Sequence, residues 1–175
     1  MTGPGGRAVS SARERAHATL LGVYRRLPVH GRRFVVRALA PTYTVGAVCV
    51  IERLDGRILL VRLAYRQRWG MPGGLLKRGE TPAEAARREV REEVGFDVEL
   101  VGDPAVVVDP EPQRVDVVFR ARPAGGVAVD GVRPRSPEIV EARWFPRDAL
   151  PELQPESSSA LVAVARRVGP PLAGA

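Results

Sequence analysis

Apolar positions change their period several times along this chain of 175 residues, and each change marks an element. Leu20, Leu21, Tyr24 and Leu27 recur at helical spacing within Ser11 to Leu27, and Arg32 to Leu39 continues as a second short helix beyond Pro28. Residues 1–10, rich in Gly, Ser and Pro, read as disordered. From Tyr43 to Glu52 the chain is rich in Val and Ile and predicts a strand, with Asp55-Gly56 as a turn and Arg57 to Ala64 as its hairpin partner. Trp69-Gly70-Met71-Pro72-Gly73-Gly74 reads as a loop. Thr81-Pro82-Ala83-Glu84 then supplies an N-cap hydroxyl, a proline at the first helical position and an acid at the third, so a helix begins there. Strands are predicted over Phe96 to Leu100, Ala105 to Val108, Arg114 to Arg122 and Ile139 to Phe145, and a last helix over Ser157 to Val168. Strands on both sides of one central helix, with another helix near the C-terminus, predict a mixed α/β sandwich.

The central helix carries the candidate chemistry. At about 100° per residue, Ala83, Ala86, Val90 and Val94 share an arc that faces the core. Glu89, Glu92 and Glu93, at i, i+3 and i+4, occupy the arc beside it, and Arg87, Arg88 and Arg91 fall on the other flank. Like charges so spaced destabilise an isolated helix by about 0.2–0.5 kcal/mol per pair, a cost that makes sense if a cation is held there. A solvated face of mixed charge is the plainer reading of a Glu/Arg-rich helix; the preceding Gly73-Gly74 turn and the position of Glu80 weigh against it. Oxygen ligands without histidine or thiolate favour magnesium, with manganese as the alternative, over zinc. Glu89 and Glu93, one turn apart, are the candidate direct ligands; Glu92 would ligate a second ion or help deprotonate water.

Residues 74–96 fill the pattern Gx5Ex7REUxEExGU, where U is a bulky apolar residue, with Gly74, Glu80, Arg88, Glu89, Val90, Glu92, Glu93, Gly95 and Phe96 at the fixed places. This resembles the Nudix box of the Nudix hydrolase family; Phe96 stands where the family more often has an aliphatic residue. The resemblance implies a Nudix fold, a mixed β-sheet sandwiched between helices, over residues 42–168, with a basic helical extension at 1–41 and a flexible tail at 169–175. It further implies Mg²⁺-dependent attack of water on phosphorus in a nucleoside diphosphate linked to another group X. Under it the carbonyl of Gly73 completes the metal shell, and Glu80 and Arg88 hold the ligating acids in place. Similar family segments carry an acid just before a Trp-containing strand, so Glu138, ahead of Glu141, is the candidate general base. Gly74, Arg62 and Trp69 are candidate substrate contacts, Trp69 and Tyr65 by stacking on a base and Arg62, Arg66 and Arg68 by meeting phosphates. Pro110 and Pro112, in the neighbourhood about fifteen positions past the box, lean toward ADP-ribose-type substrates, although the residues around them do not otherwise resemble that subgroup.

Composition narrows the setting. With 45% hydrophobic residues the chain can bury one sizeable core, and its lone cysteine, Cys49, excludes an intrachain disulfide and reads as a buried thiol. No apolar run approaches the ~20 residues that span a bilayer, and the expectation is a cytoplasmic protein. Residues 1–40 hold eight arginines against the single acid Glu14, which accounts for the whole net charge of +7. That segment packs on the domain or on a second copy in a homodimer, or else docks on nucleic acid or an acidic membrane. The alternatives to a hydrolase are a catalytically silent nucleotide-binding module and an adaptor that works through residues 1–40.

Overall fold

A computed structural model describes residues 14, 15, 17, 19, 25–125 and 131–167. The chain divides into two compact units, 1–42 and 43–175. In the first, helix α1 spans Val29–Leu39, entered from an extended Pro28 and left through an extended Ala40. It starts three residues before the predicted Arg32, because Pro28 sits at the N-cap rather than outside the helix. Arg32 ties the helix to the preceding turn through Nε, which donates to the Leu27 carbonyl at 2.9 Å. Residues 14, 15, 17, 19, 25 and 26 of the earlier predicted helix are helical. The disorder expected at 1–10 and the tail expected at 169–175 lie outside the described residues.

The second unit runs β1 (Thr44–Ile51), β2 (Ile58–Leu63), β3 (Gly73–Leu75), α2 (Pro82–Val94), β4 (Val98–Asp109), β5 (Arg114–Pro123), β6 (Ile139–Phe145) and α3 (Pro155–Arg167). Four strands form a mixed sheet in the order β3-β1-β5-β4, in which β1 and β5 are parallel and the other pairs antiparallel; β2 and β6 form a separate antiparallel pair. Alternation along β1 divides the core in two. Ala47, Cys49 and Ile51 pack with Ala85, Ala86, Val90 and Val94 of α2, whereas Val50 packs with Met71 and with Ala160 and Val164 of α3. β2 divides in the same way, with Leu59 and Val61 toward the first layer and Ile58 and Leu60 toward the second. The mixed sheet therefore lies between two helices, as expected. Among the described residues no helix is long and apolar enough to cross a membrane.

Three strand expectations need correction. The Asp55-Gly56 turn closes, with the Arg53 N–H donating to the Arg57 carbonyl at 2.9 Å, yet β2 meets β1 only at the single bridge Glu52–Ile58. The Glu52 N–H goes instead to Ala121 of β5 at 2.9 Å, so β1 stays with β5 and β2 takes β6 as partner. The two strands expected at Phe96 to Leu100 and Ala105 to Val108 are one strand, β4, with an irregularity between Val101 and Ala105. β3, inside the expected glycine-rich loop, is three residues long and too short to show a period.

Candidate active site

α2 is fixed at both ends before any of its acids is considered. Thr81 Oγ1 accepts from the Glu84 N–H at 3.3 Å, and the Glu84 carboxylate accepts from the Thr81 N–H at 2.8 Å, completing the predicted reciprocal cap. These Thr81 bonds hold the Glu84 carboxyl below the usual range. At the other end Gly95 takes the left-handed conformation (φ 80°) and donates to the carbonyls of Arg91 and Val90. Arg135 packs directly on Gly95, where a Cβ would stand 3.0 Å from Arg135 Cδ, and the Arg135 N–H donates to the Glu93 carbonyl at 2.8 Å. The predicted apolar arc is buried, with Ala85 added and Ala83 only partly covered.

Arg88 organises the acids. Its Nε and Nη2 grip both oxygens of Glu80 at 2.7 and 2.9 Å, Nη1 reaches Glu89 at 2.7 Å and Glu92 at 3.2 Å, and Nη2 also donates to the Leu75 carbonyl at 3.2 Å. The expected flank of Arg87, Arg88 and Arg91 is therefore split. Arg88 lies one turn before Glu92 and beside Glu80, so it is drawn onto the acidic side. The Arg88 guanidinium, with the Lys77 N–H helping at 2.9 Å, lowers the Glu80 carboxyl to about 2.

Glu89, Glu93, Glu138, Gly73 and Gly74 line one cleft of about 470 Å³. Gly74 is small for a reason: a Cβ there would stand 2.5 Å from Glu89 Cδ, so the carboxylate lies against the bare backbone. The Gly73 N–H donates to Glu93 Oε2 at 3.1 Å. Burial pushes the Glu93 carboxyl up to about 8; the Gly73 N–H opposes this, and Glu89, Glu138 and Glu92 add to it. A carboxylate so crowded by its own kind suits an added cation, and an all-oxygen donor set suits a hard one. Among the described residues no group of three or more acid, histidine or cysteine side chains is arranged to hold a metal ion, so two carboxylates and the backbone are what this site offers.

The remaining expected residues sit elsewhere. Glu92 is half exposed and pairs with Arg88 and with Lys77, the latter at 3.4 Å. Arg62 is bonded to Glu141 at 3.0 Å and lies over the Trp69 ring, which meets Phe145 edge-on at 4.8 Å. Neither Arg62 nor Trp69 lines the cleft. Glu141 is further held by Arg143 at 2.7 Å, so of the two later acids only Glu138 faces the cleft. Arg68 pairs with Glu152 at 2.7 Å. Pro110 and Pro112 belong to the exposed turn between β4 and β5.

Tyr65 and Arg66, expected as substrate contacts, do line the cleft after β2, together with residues that no sequence signal marks: Arg114 of β5, Gln154 just ahead of α3, and Glu156 and Ser157 in its first turn. These residues follow no fixed spacing, and only the pairing of β1 with β5 and the packing of α3 bring them together.

A family model described as NUDIX domain matches residues 42–165. The chain is 35% identical over 116 residues to a MutT-like protein of Streptomyces ambofaciens, covering 66% of this chain and 72% of that one. It is 36% identical over 115 residues to the human 8-oxo-dGDP phosphatase NUDT18, covering 62% of this chain but only 33% of the relative, so it spans about a third of that protein's length. Among solved structures, a NUDIX hydrolase from Nitrosomonas europaea superposes with a TM-score of 0.60 at 26% identity over 69% of each chain.

Proposed function

The chain belongs to the Nudix hydrolase family, and from that premise we propose that it is a Mg²⁺-dependent pyrophosphohydrolase acting on a nucleoside diphosphate joined to a further group X. One observation carries this reading: Glu89 and Glu93 leave α2 into the same cleft as Glu138 and the Gly73-Gly74 strand. Glu89 and Glu93 would hold the ion, with the Gly73 carbonyl as a further ligand, manganese as the alternative metal, and Glu92 left to a second ion or to the deprotonation of water. When bound, the dication supplies Lewis acidity and offsets charge on the diphosphate oxygens.

The protein's own groups do the rest. Arg88 and Glu80 hold Glu89 against Gly74 and fix its direction. Glu138 takes the proton of the attacking water, and the anchoring of its backbone carbonyl, which accepts from the Ala64 N–H at 2.8 Å, steadies it for that task. The name of the human relative, an 8-oxo-dGDP phosphatase, favours a nucleoside diphosphate as the recognised part.

The test is a screen of nucleotide sugars, ADP-ribose, dinucleoside polyphosphates, ordinary and oxidised nucleoside triphosphates and capped RNA, with and without Mg²⁺, with the products identified. Hydrolysis that needs Mg²⁺ and splits a pyrophosphate link is expected. Undiminished hydrolysis after chelation, or none of any compound, would exclude the reading.

A further inference from the structure

The cleft holds a second polar cluster that chemistry at the diphosphate leaves unused. Asp116 is buried on β5, and both of its oxygens accept from Arg114 Nε, at 2.9 and 2.8 Å. Gly46, its partner in the β1–β5 register, makes the room: a Cβ there would stand 2.9 Å from Arg114 Nη2 and closer still to Asp116. With Nε engaged, the plane of the Arg114 guanidinium is fixed and its Nη groups remain as donors. Glu156, in the first turn of α3, lines the same cleft and accepts from Arg66 Nη1 at 3.2 Å. Burial penalises the Glu156 carboxylate, yet its own amide, Arg66 and Arg114 together take it below the usual range.

Charge in this cluster balances, because Arg66 and Arg114 each face a carboxylate. A phosphate is best held by guanidinium groups with no carboxylate already on them. A neutral group carrying both donors and acceptors fits better. The neighbouring cleft surface is apolar, with Val48, Leu63 and Met71, and Tyr65 stands beside it with 69% of its surface exposed. Such a surface suits a flat ring. In a nucleoside diphosphate derivative, the flat and neutral part is the base.

We propose that Arg114 and Glu156 read the base of the substrate and that the base is of the guanine type, its carbonyl toward Arg114 and its N1–H and N2–H₂ toward Glu156. A carboxylate can take two parallel N–H groups from that edge, whereas adenine offers it one and uracil one. Asp116 and Gly46 act through Arg114 as positioning residues. The inference rests on the nucleoside diphosphate reading above and names its substrate class. Guanine and 8-oxoguanine present the same edge.

Two arms test it on the full chain. In the first, metal-free protein is titrated with GMP, 8-oxo-GMP, AMP and UMP. GMP should bind at least about tenfold more tightly than AMP or UMP, and 8-oxo-GMP within about threefold of GMP since the edge is shared. Glu156→Gln, a conservative change at a partly exposed site, should bring the GMP:AMP ratio close to one. Asp116→Asn should lower the same ratio while leaving the affinity for AMP unchanged, which simple loosening of the fold would not do. In the second arm, Mg²⁺-dependent hydrolysis of GTP is compared with ATP, and GDP-glucose with ADP-glucose; the guanine preference should appear in KM rather than kcat.

Equal binding of the bases, no measurable binding of GMP, or an unchanged ratio in Glu156→Gln would overturn the proposal. So would 8-oxo-GMP binding far more tightly than GMP, which would move recognition to the other edge. Guanine preference in binding without hydrolysis of any nucleotide would leave this inference standing and sink the hydrolase reading. Hydrolysis at equal kcat/KM across bases would do the reverse.

Discussion

Two carboxylates line the same cleft in unlike company: Glu93 is buried among other carboxylates, whereas Glu156 stands beside guanidinium groups. Glu93 is pushed up to about 8 by burial, with Glu89, Glu138 and Glu92 adding to the effect and the Gly73 N–H opposing it. Glu156 also suffers from burial, but its own amide, Arg66 and Arg114 reverse the shift. One cleft thus holds the same side-chain type in opposite electrostatic states. Uncompensated buried charge is costly to fold around and marks a place where a ligand is expected to bring the missing charge. A balanced cluster needs no ion and can serve recognition instead.

The sharpest way to break that contrast is Glu93→Gln. Turnover in Mg²⁺ should fall by about a hundredfold or more, while the metal-free protein should melt at the same or a higher temperature, because an amide needs no counter-charge. Kinetics paired with thermal melts read both effects, and lost stability together with retained turnover would contradict the contrast. Arg88→Lys is next. A lysine cannot grip Glu80 through two parallel bonds while reaching Glu89, so the Mg²⁺ concentration at half-maximal rate should rise about tenfold. Gly74→Ala pushes the Glu89 carboxylate off the backbone and should raise the same half-saturation by a smaller factor, about threefold to tenfold, with an unchanged far-ultraviolet spectrum.

The smallest effect expected is none at all, and it serves as a control. Burial pushes the Cys49 thiol up to about 12, with Glu93 adding to this, so at pH 8 the thiolate is on the order of one molecule in ten thousand. Iodoacetamide should leave the folded protein unlabelled. Since Cys49 lies under α2, with Sγ 3.8 Å from the Ala86 carbonyl, a variant that does become labelled has loosened the helix rather than altered the acids.

What could be read in the chain follows the same division. The acidic end is local: cap, core arc and acids lie within one helix, where offsets of three and four translate directly into neighbours. Helical spacing alone puts Arg88 on the flank of Arg87 and Arg91, because its pull toward Glu80 comes from outside the helix. The turn at Asp55-Gly56 likewise suggests a β1–β2 hairpin, since the turn residues carry no trace of β5 competing for β1. Arg114, Asp116 and Gly46 meet only through strand register, and Glu156 only through the docking of α3, so no spacing along the chain announced them. Glu138 is legible only through the family resemblance, since an acid in a loop has no periodicity of its own.

The bond from the Arg135 N–H to the Glu93 carbonyl ties the last turn of α2 to the segment that leads into Glu138. Glu138 is held at its own carbonyl by the Ala64 N–H, so its distance from Glu93 is set by the reach of residues 135–138 between two fixed ends. Lengthening that spacer by one residue would detune the pair even with every side chain retained.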